Sequence, residues 1–181
     1  MPPCVNWPKK RASCFYPLIC LCFSHAKFYI RQGLKGEAQT VSSLIKKEYV
    51  IPANDFAVAG EASSSVRKLL NQLGVQPLII KRTSIAMYEA EINAVIHGNG
   101  GRALVEIFEE KIVILIYDEG PGIENIELAM QEGYSTAPDT IREMGFGAGM
   151  GLSNIKKHAD EFVLDSAPGK GTKVYITMYL H

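Results

Sequence analysis

Cysteine is missing from most of this 181-residue chain, because all four cysteines lie within the first 22 residues. A disulfide framework that holds the body of the protein together is therefore excluded, and a body without cysteine is typical of a reducing compartment. Cys20 and Cys22 have no second ligand pair at the spacing of a zinc finger. We therefore expect no structural metal at these residues.

A long apolar run is missing as well. The segment 14–23 follows three basic residues, as the apolar region of a signal peptide does, but it is too short to cross a bilayer and Pro17 interrupts it. No clean small-residue cleavage site follows. We expect no export signal and no membrane anchor, and we interpret residues 1–45 as a poorly ordered leader or as sequence translated from a misassigned start.

Net charge is also absent, since 19 basic side chains balance 19 acidic ones. The charges are unevenly spread: residues 1–50 carry eight Lys and Arg against two acids, and residues 51–181 carry 11 against 17. An acidic body argues against a basic face for nucleic acid, so we expect no direct nucleic-acid partner. The apolar content of 47% is sufficient for a core in the domain that we assign to residues 46–181.

Hydrophobic periodicity predicts helices followed by hairpins in this domain. Because the elements show no regular βαβ alternation, they indicate an α+β fold with a mixed, mostly antiparallel sheet and helices on one face. The other face is free for solvent or a partner. The predicted strands cover residues 49–52, 56–58, 103–108, 111–117, 162–166 and 173–179, and the predicted helices cover 62–73, 78–97, 126–131 and 150–159.

Two polar residues stand out on the second predicted helix. Glu89 and Asn93 are four residues apart, which places them side by side at the edge of an apolar stripe formed by residues 85, 88, 92 and 95. The carboxylate can accept a proton from a hydroxyl or water, and the amide oxygen can ligate Mg²⁺. A solvated helix face carries such pairs too, so the pair alone leaves both interpretations open.

An acidic residue follows the apolar segment KIVILIY (111–117), which is interpreted as a buried strand. Asp118 could accept a hydrogen bond from an exocyclic amine, while Gly120 and Gly122 would let the backbone approach a ring closely. A simple strand-ending turn uses the same residue types and is the alternative.

A glycine-rich segment, GFGAGMG (145–151), leads directly into a predicted helix. Gly147, Gly149 and Gly151 leave backbone N–H groups unhindered, and a helix N-terminus is a common phosphate site. The segment lacks the Gly-Lys-Ser/Thr of a Walker loop, and no strand precedes it as in a dinucleotide fingerprint. The helix that follows at once argues against a disordered linker.

In this order the three segments resemble the N, G1 and G2 boxes of the GHKL ATPase superfamily, and Gly-Lys-Gly-Thr (169–172) resembles its fourth box. The resemblance covers about residues 46–180 and implies the Bergerat ATP-binding fold, a two-layer α/β sandwich. It implies ATP and Mg²⁺ as cofactors, Glu89 as general base, Asn93 as magnesium ligand and Asp118 as partner of the adenine amine. The other residues that it implies at the nucleotide are Gly120, Gly122, Gly147, Gly149, Gly151 and Thr172.

Within the superfamily, the wording of residues 89–98 and 118–137 resembles the small bacterial anti-sigma factors and switch serine/threonine kinases of partner-switching pathways. This resemblance implies a cytoplasmic kinase that phosphorylates a serine on an anti-sigma-antagonist protein of the STAS type, with residues 123–147 as a lid. Two alternatives stay open. The chain could be an ATP-dependent anti-sigma factor that mainly sequesters a sigma factor, or a detached histidine kinase catalytic domain, for which no histidine is suitably placed.

The glycine-rich segment departs from that family pattern. It carries Phe146, and no arginine stands immediately before Gly149, where sigma-binding relatives often have one that contacts phosphate. Arg142 lies several residues earlier, and Lys156 and Lys170 are the candidates for the missing positive charge. Relatives commonly dimerise through the N-terminal strand region, so a homodimer is an expectation that the free sheet face would permit.

Overall fold

A five-stranded sheet is the centre of residues 42–181, the part of the chain that the computed structural model describes. Its strands lie in the order β1-β2-β3-β5-β4, and every pairing is antiparallel. The α+β class with a mostly antiparallel sheet is confirmed. The strands are β1 (Ile45–Ile51), β2 (Gly101–Ile107), β3 (Lys111–Tyr117), β4 (Glu161–Ser166) and β5 (Thr172–Tyr179).

Helices cover one face of this sheet. The longest of them, α2, is buried along most of its length, because it packs against α1 and α5 as well as against the strands. The buried side chains of the helices and of the inner sheet face form a single apolar cluster. The helices are α1 (Glu61–Gln72), α2 (Pro77–His97), α3 (Ile126–Ala129), α4 (Asp139–Glu143) and α5 (Gly151–His158).

The strand before Asp118 alternates between the two faces. Ile112, Ile114 and Ile116 of β3 are buried under the helices, whereas Val113 and Leu115 are only partly buried on the opposite face. The apolar run that predicted a buried strand is therefore buried on one side only. That opposite face also exposes Val163, 57% of whose surface is accessible.

The first strand begins four residues earlier than predicted, at Ile45. Lys46 and Lys47 interrupt the alternation of apolar and polar residues that predicts a strand. Charged side chains are nevertheless typical of an edge strand whose outer face is exposed to solvent. On that outer face Lys46 pairs with Glu106 at 2.9 Å, and Glu48 pairs with Arg102 at 2.7 Å. Residues 1–41 lie outside the described residues, and with them the cysteines and most of the predicted leader.

The predicted strand at 56–58 is wrong, because this segment is part of an irregular loop. Asn54 adopts a left-handed φ of 53°, and Asp55 Oδ1 accepts a hydrogen bond from Ala57 N at 3.1 Å. A side chain that binds backbone two residues on favours a turn over an extended strand. The short helix α4 was not predicted, since its polar sequence has no apolar face.

The predicted apolar stripe of α2 is only partly correct. Ile92 and Val95 are buried as expected, but Tyr88 is 39% exposed. Neighbours on several sides bury α2, so a single stripe underestimates its core surface. No helix within residues 42–181 is long and apolar enough to cross a membrane.

A buried carboxylate joins α1 to α2. Glu91 is 2% exposed, and its side chain accepts hydrogen bonds from Gly60 N and Ala62 N at 3.0 and 3.1 Å and from Ser63 N at 3.0 Å. These N–H groups lie at the start of α1, where a helix has no internal acceptors. A negative charge there also complements the helix dipole. Glu91 thus caps α1 from a neighbouring helix.

Replacing Glu91 with alanine should destabilise the fold by about 3 kcal/mol, because buried N–H groups without an acceptor are costly. The midpoint of urea unfolding measures the loss. Glu61→Ala is the matched control, since Glu61 is an exposed acid in the first turn of α1 and should contribute about 0.5 kcal/mol. Equal, small losses in both variants would show that the Glu91 cap contributes little.

Candidate functional site

Glu89 and Asn93 meet the start of α5. A Cβ built on Gly151, the first residue of α5, would lie 3.1 Å from both Asn93 Nδ2 and Asn93 Oδ1 and 3.4 Å from Glu89 Oε2. Both polar side chains are partly buried. Glu89, Asn93 and the last glycine of the glycine-rich segment are therefore brought together, as predicted, and a side chain at position 151 would press on the pair.

The sequence analysis missed a fourth residue of this group. Asn154, in the first turn of α5, donates a hydrogen bond from Nδ2 to Glu89 Oε1 at 2.8 Å. The only sequence signal for it is a polar residue three positions after Gly151. That signal is weak, because the contact joins residues 65 positions apart and depends on how α5 packs on α2.

Asp118 is fixed at the end of β3 by the last hairpin. Its N–H donates to Thr172 O at 3.0 Å, and Thr172 N donates back to Asp118 Oδ1 at 3.1 Å. Gly120 N also donates to Oδ1, at 2.9 Å. Asp118, Gly120 and Thr172 are thus in direct contact, which agrees with their predicted grouping.

The carboxylate of Asp118 has partners within the protein besides the exocyclic amine that the sequence suggests for it. Oδ1 already accepts two backbone N–H groups. Among residues 42–181 we find no hydrogen bond to Oδ2, so this oxygen is open to a ligand. A Cβ on Gly98, just after α2, would lie 2.6 Å from Asp118 Cγ, so the end of α2 packs directly on this side chain.

Burial changes the proton affinities of this group. Desolvation raises the pKa of Asp118 above its ordinary value, against the opposing effects of the Gly120 and Thr172 N–H groups and of His97. Desolvation lowers the pKa of His97, and the nearby Asp118 charge only partly offsets it. Because the pKa is raised, keeping this carboxyl group ionised costs free energy. Carboxyl groups with such perturbed pKa values are typical of functional sites.

The predicted nucleotide glycines pack against the protein's own backbone. Gly149 has a φ of 74°, and a Cβ there would lie 2.6 Å from Tyr134 O. Gly133 N also donates to Gly149 O at 3.0 Å, so the glycine-rich segment is bonded to the segment predicted to be a lid, residues 123–147. Gly122 has the same φ and faces the carbonyl of Ala167 too closely to admit a Cβ. These contacts within the protein require glycine at both positions, independently of any contact with a nucleotide.

Gly120 and Gly147 are also closely packed, Gly120 against backbone and Gly147 against a side chain. A Cβ on Gly120 would lie 2.7 Å from the Cα of Gly98, and a Cβ on Gly147 would overlap the side chain of Ala137. Contacts of these glycines with a nucleotide stay predictions. The described residues also hold no cluster of three or more His, Cys, Asp or Glu side chains that could bind a metal ion, so a magnesium ion here would depend on Asn93 and on the nucleotide.

A family model described as histidine kinase-, DNA gyrase B-, and HSP90-like ATPase matches residues 80–181. The chain belongs to this ATPase family. The resemblance drawn from the N, G1 and G2 boxes is therefore confirmed. The chain contains an ATP-binding domain of this family. The matched residues begin in the first turn of α2, extend past the end of β5 and contain every predicted site residue.

Proteins of similar sequence include several that are named anti-sigma F factor. One from Clostridium beijerinckii is 40% identical over 103 residues, which are 54% of this chain and 68% of that protein. One from Clostridium novyi is 33% identical over 119 residues, or 62% of this chain and 80% of that protein. One from Bacillus licheniformis is 40% identical over 98 residues, 51% of this chain and 64% of that protein.

A crystal structure supports the fold of this ATPase. It contains the RsbU and RsbW domains of a Mycobacterium tuberculosis protein and superimposes with a TM-score of 0.52 at 16% identity. The match covers 75% of this chain and 32% of that chain. At this identity the likeness shows the shared architecture of sheet and helices.

The segment predicted to be a lid, residues 123–147, contacts the loop after β1. The rings of Phe146 and Phe56 lie 5.4 Å apart between centroids. Within the lid, Arg142 donates to Ser135 O at 2.9 Å and lies 3.7 Å from Asp139. The guanidinium that could supply positive charge to a phosphate is thus engaged with the lid itself, while Lys156 and Lys170 are exposed.

Proposed function

We propose that the chain is an ATP-dependent serine kinase of a partner-switching pathway, which phosphorylates an anti-sigma-antagonist protein of the STAS type. One observation carries the proposal. The Glu89 carboxylate and the Asn93 amide lie together against the first residue of the helix that follows the glycine-rich segment. This arrangement supports a base and a metal ligand side by side at the expected position of the terminal phosphate, in a family of ATPases.

The residues fit MgATP in two places. Asn93 offers a neutral oxygen of the kind that Mg²⁺ accepts, and Asp118 Oδ2 offers an open acceptor for the adenine amine. When bound, MgATP supplies the phosphoryl group and neutralises part of its charge. Gly147, Gly149 and Gly151 and the N-terminus of α5 would add backbone N–H groups for the phosphates. Thr172 would hold Asp118 in place.

The transfer step assigns a single proton to Glu89. The serine oxygen of the antagonist forms its bond to the γ-phosphorus, and its proton passes to the Glu89 carboxylate. The bond between the γ-phosphorus and the bridging oxygen breaks, and ADP leaves with that oxygen. The lid, residues 123–147, would exclude water and so favour the serine over hydrolysis.

A second function is supported by the names of the relatives. Proteins named anti-sigma F factor suggest that this chain sequesters a sigma factor, with kinase activity secondary or absent. We favour the kinase because the Glu89 carboxylate lies next to Asn93 and Gly151, a position that would suit a general base. We also propose that residues 46–181 form the ATPase domain and that the protein acts in the cytoplasm. The outer face of the sheet would be available for a homodimer contact.

The test is incubation of the purified chain with [γ-³²P]ATP, Mg²⁺ and an antagonist protein from the same genome. Acid-stable label should appear on the antagonist and disappear when its target serine is replaced by alanine. Complex formation with a sigma factor but no label would favour the sequestering function. Acid-labile label on a histidine would contradict the serine kinase and favour a histidine kinase domain.

A further inference from the structure

The two oxygens of Glu89 have different surroundings. Oε1 accepts the hydrogen bond from Asn154 Nδ2 at 2.8 Å. Of the two Glu89 oxygens, Oε2 is the nearer to Gly151, at 3.4 Å from a Cβ built on that residue, in the space that Asn93 also borders. The carboxylate is therefore held by one oxygen and directed toward the glycine-rich segment with the other.

The orientation of the Asn154 amide follows from its partner. An ionised carboxylate only accepts hydrogen bonds, so the NH₂ group of Asn154 must face Glu89. A neutral donor can hold the carboxylate without the strong pairing that a lysine or arginine would form. The free oxygen therefore stays available to accept a proton.

The helix that carries Asn154 is itself held firmly. Ile155 is completely buried, and the backbone N–H of Asn154 donates to Met150 O at 2.8 Å. At the other end of α5, Arg82 of α2 donates to His158 O at 3.0 Å and pairs with Asp160. Because α5 has a buried residue next to Asn154 and is linked to α2 at its C-terminal end, we treat the Asn154 amide as a well-ordered donor for the Glu89 side chain.

We propose that Asn154 is a positioning residue, which fixes Glu89 by Oε1 and leaves Oε2 to take the serine proton. The inference rests on the proposed function, in which Glu89 is the base. It adds a residue outside the four boxes and assigns separate tasks to the two carboxylate oxygens. Precise placement of a base affects the chemical step much more than the binding of ATP.

The test compares Asn154→Leu with the wild type. Leucine has a similar size and no donor, so transfer to the antagonist should fall in kcat by about 10- to 100-fold. The KM for ATP, the calorimetric ATP affinity and the melting temperature should stay close to those of the wild type. Ser153→Ala is the matched control, because it removes the side-chain hydrogen bond of the neighbouring residue, which goes to Met150 O and not to Glu89. It should retain full activity.

Two further variants complete the test. Asn154→Ala removes the donor without adding an apolar branch, so it should show the same separation of kcat from ATP affinity if leucine is poorly accommodated. The double variant Glu89→Gln/Asn154→Leu should transfer phosphate no more slowly than Glu89→Gln alone, because Asn154 acts only through Glu89.

Three results would overturn the inference. Full kcat in both Asn154 variants would show that Glu89 needs no positioning, and an equal loss of ATP affinity and rate would assign Asn154 to binding. A double variant much slower than Glu89→Gln would show that Asn154 acts independently. A wild-type protein that binds ATP and transfers nothing would instead contradict the proposed function, and the role of Asn154 with it.

Discussion

Glu89→Gln should lower the rate of phosphoryl transfer on the order of 10³-fold, while the calorimetric affinity for MgATP stays within about threefold of the wild type. Glutamine has the shape of glutamate, and its amide oxygen can still accept the hydrogen bond from Asn154 Nδ2. The variant therefore preserves the packing of α5 on α2. It removes only the group that we propose as acceptor of the serine proton.

The comparison of rate with affinity decides the role of Glu89. Steady-state label transfer gives the rate, and titration with MgATP gives the affinity. Glu61→Gln serves as the control, since it makes the same chemical change at an exposed acid of α1 and should leave both quantities unchanged. If affinity fell as much as rate, Glu89 would be a binding residue, and the base would have to be sought elsewhere.

Asp118→Asn should weaken MgATP binding by about 10- to 100-fold, which corresponds to about 1.4–2.8 kcal/mol. Asparagine can keep its oxygen toward Gly120 N and Thr172 N, so both backbone hydrogen bonds remain possible. Its NH₂ group then replaces Oδ2 and presents donors to the donor amine of adenine. The expected loss arises from this mismatch and from the lost negative charge.

The same substitution should not destabilise the fold at neutral pH. Because burial raises the pKa of Asp118, the folded state binds this proton more readily than the unfolded state does. The free energy of unfolding therefore decreases as pH rises through the titration of Asp118, and the charged form opposes folding above it. Asparagine removes this cost, so urea unfolding at neutral pH should show equal or greater stability.

The pH dependence of binding gives the matching signature. As pH falls through the raised pKa of Asp118, the wild type should lose ATP affinity, whereas Asp118→Asn should lack this component. The variant serves as the control for titration of ATP itself. Unchanged affinity in the variant would place the adenine elsewhere, and a large loss of stability would show that the carboxylate supports the fold.

Local sequence spacing predicted those parts of the site that lie close together along the chain. Glu89 and Asn93 are one helical turn apart, so their proximity follows from helix geometry alone. Asp118 follows directly from the end of β3, and the helix after Gly151 could be read from the chain. These features need no knowledge of tertiary packing.

The contacts between distant elements could not be predicted in this way. Asn154 reaches Glu89 across 65 positions, and Glu91 reaches the start of α1 across 28 to 31 positions. Neither residue differs in type or spacing from a solvated polar residue on a helix. Their roles depend on which helix faces pack together, and only the folded chain determines that.

The glycines and the first strand show two other limits. The resemblance predicts that Gly122 and Gly149 contact a nucleotide. Both glycines have a positive φ and lie against backbone carbonyls, so packing within the protein alone requires glycine there. The start of β1 was missed because Lys46 and Glu48 lie on the outer side of an edge strand, where charge pairs across strands replace apolar alternation.

Calorimetric titration of the purified chain with MgATP tests the central claim most directly. We expect binding to a single site, with a dissociation constant in the range of about 1 μM to 1 mM that is common for enzyme substrates. The heat should decrease sharply in Asp118→Asn and persist in Glu89→Gln. An absence of binding up to millimolar MgATP, with no rise in melting temperature, would contradict the account.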